Sequence, residues 1–266
     1  MTRLVVVGGG RMGNALISGL LRSGWVKPGD LAIVERLEVA RSEIERRYPE
    51  VRTVAEPVVA DSAVLAVKPG DAEGASRALA LTGVPRVLSI VAGVTLAQLE
   101  SWFGPGTAVL RAMPNMPAIL GAAASAVAGG ARVKEEDFAW GEAVLSAFGV
   151  VARVPEGLID SVTGLSGSGP AYVFLLAEAM VEAGVAEGID RDVCRLLVTH
   201  TLLGSARLLA ETGESPETLR AAVTSPGGTT AAGLRVLERH AIRSAVVEAV
   251  AAASERAREL GREPTS

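Results

Sequence analysis

The sequence predicts an α/β protein in two parts, a parallel-sheet domain at the N-terminus followed by an all-α domain. Three observations support this prediction. A β-branched run leads into a glycine-rich turn near the N-terminus, strand and helix patterns alternate up to about residue 154, and no strand pattern follows Glu156. The chain has 266 residues, enough for one large or two ordinary domains. We therefore expect a first domain over residues 1–157 and a second over residues 158–266.

The first strand and the turn after it form the most informative local pattern. Residues 3–7 have the composition of a buried strand, and the next segment, Gly8-Gly9-Gly10-Arg11-Met12-Gly13, has the spacing GxGxxG. Between a strand and a helix, such glycines permit a tight turn and the close approach of a pyrophosphate to backbone at the helix N-terminus. The pattern predicts a Rossmann-type dinucleotide-binding domain.

A second strand pattern, at residues 31–34, ends at Glu35 and Arg36. An acid at this place accepts hydrogen bonds from the ribose hydroxyls of NAD, whereas an arginine pairs with the 2′-phosphate of NADP. Glu35 is also compatible with a surface charge that opens a helix. The sequence therefore leaves the choice between NADPH and NADH open.

Strand and helix patterns continue to alternate beyond Arg36. Strands are predicted at residues 62–67, 86–91, 107–110, 124–128 and 150–154, and helices at residues 71–81, 95–102 and 135–148. Strands separated by helices imply a parallel sheet, which binds ligands at the carboxyl ends of its strands. Lys68, Gly93 and the loop 113–117 fall at such ends, although Lys68 is also compatible with an ordinary solvated lysine.

Lysine and asparagine are scarce in this chain, which holds three lysines and two asparagines. The scarcity indicates a codon bias that replaces these residues wherever it can, so those that remain are candidates for functional positions. Asn14, Lys68 and Asn115 all lie inside the motifs of the N-terminal half.

The second half of the chain carries only helix patterns. Capping residues and prolines place the starts of five helices at Pro170, Asp190, Ser215, Thr230 and Ala241. A Gly/Ser turn is expected at residues 165–169, before the first of them. The apolar stripes are broad and lie on more than one side of each helix, which predicts burial against a second copy. Cys194 and His200 lie on such a stripe and are interpreted as core residues.

A turn at residues 222–233, with the sequence AVTSPGGTTAAG, joins two of these helices. Pro226 and two glycines break the helical pattern, and Thr229 or Thr230 is a good N-cap for the next helix. Several backbone N–H groups would then point out of one turn, where the helix dipole favours a carboxylate or phosphate. A plain helix–turn–helix joint is the alternative interpretation.

Composition and charge exclude several classes of function. The net charge of −4, the pI of about 5.4 and the lack of a basic run argue against a nucleic-acid partner. We expect no membrane span, because no apolar stretch reaches the roughly 18 residues needed to cross a bilayer. We expect a cytoplasmic location, because a strand pattern starts directly at the N-terminus. A single cysteine excludes an intrachain disulfide, and the spacing of His200 and His240 predicts no metal site.

Taken together and in order, the motifs GGGRMG, AVKP, SIVAG, RAMPNMP, LSGSGPAY and TSPGGTTAAG resemble those of the pyrroline-5-carboxylate reductase family. The resemblance covers residues 4–260, and its last motif is highly specific. It implies reduction of 1-pyrroline-5-carboxylate to L-proline with NAD(P)H, usually NADPH. It also implies a helical domain that interleaves in a homodimer, in some members assembled into a ring of dimers. Met116 departs from the pattern, since the family commonly has threonine there.

Carried over to matching positions, the resemblance implies a set of cofactor contacts. These are Val7, Gly8, Gly9, Gly10, Arg11, Met12 and Gly13 for the pyrophosphate, Arg36 for the adenine ribose, Ala66, Val67, Lys68, Pro69, Ala92 and Gly93 towards the nicotinamide, and Asn115 as a further cofactor contact.

The chemistry of such a substrate agrees with the turn at residues 222–233. A protonated cyclic imine is already an electrophile, so the site needs to hold its carbon against the nicotinamide but needs no strong general acid. We assign the substrate carboxylate to the backbone amides of Gly228, Thr229 and Thr230, with Ser225 adjacent. The ring nitrogen is assigned to the Thr230 hydroxyl.

Two other functions are weighed against this one. A hydroxyacid dehydrogenase with a Rossmann and a helical domain would need a general base, usually a lysine of the helical half, and no lysine follows Lys134. A non-catalytic NADP-binding regulatory protein is the second alternative, because a fold does not determine a function.

Overall fold

The computed structural model describes residues 2–262. These residues form two compact units. The first consists of the described residues up to Ser168 together with those from Ala251 onwards, and the second is Gly169–Val250. The division into domains over residues 1–157 and 158–266 stays a prediction.

An eight-stranded sheet organises the first unit, with the strand order β3-β2-β1-β4-β5-β6-β7-β8. The strands are β1 (Leu4–Val7), β2 (Leu31–Val34), β3 (Arg52–Val54), β4 (Ala63–Leu65), β5 (Arg86–Ser89), β6 (Ala108–Met113), β7 (Ala123–Gly129) and β8 (Gly149–Arg153). All neighbouring pairs are parallel except β6 and β7. The predicted α/β class with a Rossmann-type sheet is confirmed.

Two features of the sheet differ from the sequence prediction. The edge strand β3 was not predicted, because its three residues are too few to show a period and none of them is fully buried. The pair β6–β7 is antiparallel rather than parallel. Only a short 3₁₀ segment, Met116–Leu120, lies between these strands, and a parallel connection needs a crossover of a dozen or more residues.

Helices cover both faces of the sheet. They are α1 (Arg11–Arg22), α2 (Glu38–Arg47), α3 (Ala72–Ala80), α4 (Leu96–Phe103) and α5 (Glu135–Ser146). Successive side chains of β1 point to opposite faces, so Leu4 and Val6 belong to one hydrophobic cluster and Val5 and Val7 to the other. All four are buried, as expected for a strand of a doubly covered sheet.

The segment after β8 is helical where a turn was expected. Helix α6 (Ile159–Val162) continues into a π-helical turn, Thr163–Gly167, in which the Ser168 N–H donates to the Thr163 carbonyl at 2.8 Å. The predicted Gly/Ser turn at residues 165–169 is therefore wrong. A widened turn inserted in a helix keeps these small residues helical while altering the direction of their carbonyls.

The second unit is built from the helices that the caps predicted. They are α7 (Gly169–Ala186), α8 (Arg191–Thr212), α9 (Pro216–Ala222), α10 (Thr229–Arg239) and α11 (Ile242–Arg262), whose last residues belong to the first unit. The Asp190 carboxylate accepts from the N–H groups of Asp192 and Val193, and the Ser215 hydroxyl accepts from the Thr218 N–H. Both predicted caps are confirmed.

The helices of the second unit leave much apolar surface uncovered in the single chain. Helix α7 has no buried residue, and α8 buries only Cys194 and Val198. Cys194 is a core residue, as predicted, but His200 is exposed. His200 is therefore not a core residue of the single chain, in which α8 packs on α7 and to a smaller extent on α9. Its burial against a second copy stays a prediction.

The expectation about membrane spans is also corrected. Within the described residues, two helical stretches, residues 156–186 and Arg191–Thr212, are long and apolar enough to cross a membrane by length and composition alone. Neither stretch is an uninterrupted apolar run, but both are apolar on average and carry few charges. Core helices of proteins without a membrane pass the same test.

Candidate active site

A cavity of about 750 Å³ lies at the carboxyl ends of the strands, where the strand order turns. Strand β1 has β2 on one side and β4 on the other, and a sheet of this kind binds its ligand in the crevice at such a point. The cavity is lined by Val7, Gly8, Gly9, Gly10, Val34, Glu35, Arg36, Leu37, Ala40, Ala55, Glu56, Pro57, Ala66, Val67, Lys68, Asp71, Gly74, Ala75 and Ala78.

The glycine-rich turn beside this cavity is shaped by three glycines with different surroundings. Gly8 has φ +106°, and a Cβ there would stand 2.5 Å from the Ala66 carbonyl oxygen. A Cβ on Gly13 would collide with the Gly8 carbonyl oxygen. A Cβ on Gly10 would meet nothing within 4 Å, so this residue faces open space. The turn thus has the close strand–helix packing and the free approach that a pyrophosphate requires.

The N-terminus of α1 is open to an anion. Gly10 is the N-cap, no side chain caps the helix, and the first turn contains no acid. The first N–H groups of the helix therefore have no intrahelical partner and form the positive end of the helix dipole. A dinucleotide pyrophosphate fits this arrangement.

The side chain of Asn14 stabilises the same turn by hydrogen bonds to its backbone. Its side-chain nitrogen donates to the carbonyl oxygens of Gly9 and, at 3.3 Å, of Gly10, while its backbone oxygen accepts from the Tyr48 hydroxyl. Asn14, one of the two asparagines of the chain, therefore fixes the turn and does not line the cavity.

Both residues at the end of β2 line the cavity. The two oxygens of Glu35 accept from the backbone N–H groups of Gly9, at 3.1 Å, and Leu37, at 3.0 Å. Arg36 forms an ion pair with Asp71, with 2.7 Å between Nη2 and Oδ1. The acid and the arginine that conflicted in the sequence are therefore both present in the lining of the cavity.

Eight of the predicted cofactor residues line the cavity, namely Val7, Gly8, Gly9, Gly10, Arg36, Ala66, Val67 and Lys68. The other seven, Arg11, Met12, Gly13, Pro69, Ala92, Gly93 and Asn115, lie outside its lining. Several lining residues were not predicted. Glu56 and Pro57 follow the short strand β3, so the rule about strand ends would have found them if β3 had been recognised.

Gly93 and Asn115 have partners that the sequence did not predict. Gly93, in the loop after β5, has φ +75° and lies against Leu260 and Gly261 at the end of α11. Asn115 is buried, and its amide donates to the Ser166 carbonyl at 3.0 Å and accepts from the Ala124 N–H at 2.9 Å. Asn115 thus joins the end of β6 to β7 and to the π-helical turn.

In the second unit, the turn before α10 differs in one respect from the prediction. Gly228, and neither threonine, is the N-cap of α10, and its N–H donates to the Ser225 carbonyl at 3.1 Å. The expectation that the Gly228 amide is free for a ligand is therefore wrong. Thr229 and Thr230 occupy the first two helical positions, whose N–H groups have no intrahelical partner.

The side chains of this turn are available to solvent. Ser225, Thr229 and Thr230 are exposed, and among the residues that the structure describes their hydroxyls have no hydrogen-bond partner. Gly227 has φ +71°, which lets the chain reverse just before the helix. Free amides and free hydroxyls at a helix N-terminus form a site suited to a carboxylate with a neighbouring polar atom.

Across residues 2–262, no group of three or more histidine, cysteine, aspartate or glutamate side chains is placed to hold a metal ion.

Two family models match the chain. A model described as pyrroline-5-carboxylate reductase dimerisation matches residues 156–260, and a model described as NADP oxidoreductase, coenzyme F420-dependent, matches residues 3–93. The first covers most of the helical half, and the second covers the glycine-rich turn and the strands beside the cavity.

Whole-chain comparisons agree with these matches. A pyrroline-5-carboxylate reductase from Synechocystis sp. is 41% identical over 98% of this chain and 98% of its own length. The solved structure of a pyrroline-5-carboxylate reductase from Coxiella burnetii has a TM-score of 0.92 at 34% identity, covering 98% of this chain and 99% of that one. A Plasmodium falciparum pyrroline carboxylate reductase with NADP bound has a TM-score of 0.85 at 27% identity, covering 98% of both chains. The chain belongs to the pyrroline-5-carboxylate reductase family.

Proposed function

We propose that this enzyme reduces 1-pyrroline-5-carboxylate to L-proline by hydride transfer from NADPH or NADH, the last step of proline biosynthesis. The observation that carries the substrate assignment is the turn before α10, where free backbone amides and two free threonine hydroxyls lie together. A carboxylate beside an imine nitrogen needs such a set of donors and acceptors.

The cofactor belongs to the cavity of the first unit. The glycine-rich segment from Val7 to Met12 and the N-terminus of α1 would hold the pyrophosphate, and Arg36 lies where the adenine ribose is expected. The segments from Ala66 to Pro69 and from Ala92 to Gly93 would face the nicotinamide, and Asn115 would position the neighbouring loop. The bound nicotinamide supplies the hydride.

The substrate belongs to the turn of the second unit. We assign its carboxylate to the amides of Thr229 and Thr230, with the Ser225 hydroxyl adjacent and Gly228 holding the turn. The Thr230 hydroxyl is assigned to the ring nitrogen. Hydride adds to the imine carbon while the nitrogen already carries its proton, so the site needs orientation rather than a general acid.

The match to a dimerisation model supports a homodimer built through the helical half. We propose further that dimers assemble into a ring, as in some members of the family. We also propose that the enzyme acts in the cytoplasm with a small-molecule substrate and without a nucleic acid or a membrane as partner.

Oxidation of NADPH and NADH, followed by absorbance with 1-pyrroline-5-carboxylate as substrate, tests the function. We expect turnover that depends on both the imine and the nicotinamide. Binding of the nicotinamide without its oxidation would instead identify a cofactor-binding protein of this family that has lost catalysis.

A further inference from the structure

The lining of the cavity that we propose for the cofactor carries more acidic than basic side chains. Its lining includes three acids, Glu35, Glu56 and Asp71, and two bases, Arg36 and Lys68, which leaves one excess negative charge. The 2′-phosphate of NADPH adds a charge of roughly −1.5 to −2, so it needs a free cation in this place.

Arg36 is not a free cation in this structure. Its Nη2 lies 2.7 Å from Asp71 Oδ1, a distance typical of a charge-assisted hydrogen bond. Asp71 ends the short 3₁₀ segment Pro69–Asp71 in the link between β4 and α3, and its N–H donates to the Lys68 carbonyl at 3.0 Å, which fixes the position of its backbone. A carboxylate and a phosphate compete for the same guanidinium, because each supplies oxygen acceptors with negative charge.

The pair is exposed, since the side chains of Arg36 and Asp71 keep 70% and 46% of their accessible surface. An exposed ion pair contributes little to stability and is readily exchanged for another partner. Asp71 therefore lowers the affinity of Arg36 for the 2′-phosphate without preventing the contact.

Glu35 also affects the preference between NADPH and NADH. Hydrogen bonds from Gly9 and Leu37 hold its two oxygens in place beside the glycine-rich turn. A carboxylate has about four acceptor positions, so each oxygen keeps capacity for a ribose hydroxyl. The 2′-hydroxyl of NADH can donate to it, whereas the 2′-phosphate of NADPH is repelled.

We propose that Asp71 is a specificity-determining residue that competes with the 2′-phosphate of NADPH for Arg36, and that Glu35 favours the unphosphorylated ribose. This inference rests on the proposed cofactor site. It assigns the cofactor preference to a balance of three side chains rather than to Arg36 alone.

Calorimetric titration with ADP-ribose and with 2′-phospho-ADP-ribose tests the proposal, because neither probe carries a nicotinamide and no turnover is involved. Asp71→Asn should tighten binding of 2′-phospho-ADP-ribose about fivefold, the effect of one exposed ion pair, and leave ADP-ribose within about twofold. Glu35→Gln should weaken the binding of ADP-ribose and tighten the binding of 2′-phospho-ADP-ribose.

A matched control lies two residues further along the chain, in the first turn of α3. Glu73 pairs with Arg77 at 2.8 Å with similar exposure but lies outside the cavity lining, so Glu73→Gln should change neither affinity. The double variant Arg36→Ala with Asp71→Asn completes a cycle, in which the gain from Asp71→Asn should disappear once Arg36 is absent.

Three results would overturn the proposal: equal effects of Asp71→Asn on both probes, no effect on either, or a gain that persists without Arg36. If the unaltered protein binds neither probe, the cofactor site itself is wrong, and the role of Asp71 falls with it. Binding of both probes with a ratio that Asp71→Asn does not change overturns only the role of Asp71.

Discussion

Gly10 and Gly13 belong to one short turn, yet they meet different surroundings and so should respond differently to the same substitution. A Cβ on Gly13 would press on the backbone oxygen of Gly8, which cannot move without shifting β1. Gly10 has φ −67° and no neighbour within 4 Å, so alanine fits there in the free protein.

Gly13→Ala should therefore destabilise the protein by about 1–3 kcal/mol, the usual cost of overpacking, as measured by urea unfolding. Gly10→Ala should lose less stability than Gly13→Ala, because it meets no neighbour and changes only the N-cap of α1. It should bind NADPH about tenfold more weakly, because its methyl group occupies the space of the pyrophosphate. Unchanged NADPH affinity in Gly10→Ala would contradict the proposed phosphate position.

Thr230 is exposed, lies at the second helical position of α10 and caps nothing. Thr230→Ala should keep stability within about 0.5 kcal/mol and leave NADPH affinity nearly unchanged. Its turnover should fall by roughly 100-fold, because the hydroxyl orients the imine and a small misplacement of the reacting carbon is costly.

Two companion variants sharpen this experiment. Thr230→Ser keeps the hydroxyl and should recover much of the rate. Thr224→Ala removes a hydroxyl that donates to the Arg220 carbonyl at 2.6 Å in the same turn, and it should keep the parent rate. If Thr230→Ala turns over as fast as the parent, the backbone amides alone orient the substrate.

At the scale of elements, a buried arginine ties β6 to the helical segment after β8. Arg111 is buried and lies 3.2 Å from both Glu156 and Asp160. Glu156 also accepts from the Leu96 N–H at the start of α4 at 2.6 Å. The three groups thus join a strand, a helix N-terminus and the segment that leads to the π-helical turn.

Arg111→Met keeps most of the side-chain volume but leaves two carboxylates without their cation. We expect a loss of about 3 kcal/mol in the free energy of unfolding, measured from the urea midpoint. Arg153→Ala is the comparison, because Arg153 pairs with Glu135 and Glu142 at the surface and its removal should cost far less. Equal midpoints for Arg111→Met and the parent would show that the network is dispensable.

The two surface ion pairs of Arg153, with Glu135 and Glu142, also make the stability depend on pH. Hydrogen bonds from Arg153 hold the pKa of the Glu142 and Glu135 carboxyls below their usual range. Because the folded pKa is lowered, the contribution of these pairs to stability is present above the usual carboxyl pKa and is lost as the pH falls through the lowered value.

At the scale of the whole molecule, the exposed apolar side chains of the second unit require a covering partner. Phe174 and Leu175 on α7 and Leu196 and Leu197 on α8 are each about half exposed or more in the single chain. If a second copy covers them, folding and dimerisation are linked, and the melting temperature should rise with protein concentration.

Leu175→Glu places a charge on this surface and should shift the protein towards monomer and lower its melting temperature. Leu81→Glu, at a site 90% exposed in the first unit, should change neither. Light scattering gives the mass of each variant. A stable parent monomer at micromolar concentration would contradict the interleaved dimer.

The sequence by itself determined those features that neighbouring residues control. The strand–turn–helix pattern around Gly8 predicted the sheet domain and its glycine-rich turn, Asp190 and Ser215 predicted the starts of two helices, and the ordered motifs predicted the family. The sheet domain, its turn and the helix starts depend on a local period, a cap or a φ preference, which a few adjacent residues express completely. The family follows from the order of motifs, each of which is itself a short local pattern.

Only the tertiary structure decided the contacts between residues distant in the chain. Glu35 meets Gly9, Arg36 meets Asp71, and Asn115 meets Ser166, pairs separated by 26, 35 and 51 positions. The edge strand β3 and the reversed direction of β7 likewise depend on what packs beside them. No local pattern encodes such pairings, because they follow from the spatial order of the strands in the sheet and from the length of the links between the strands.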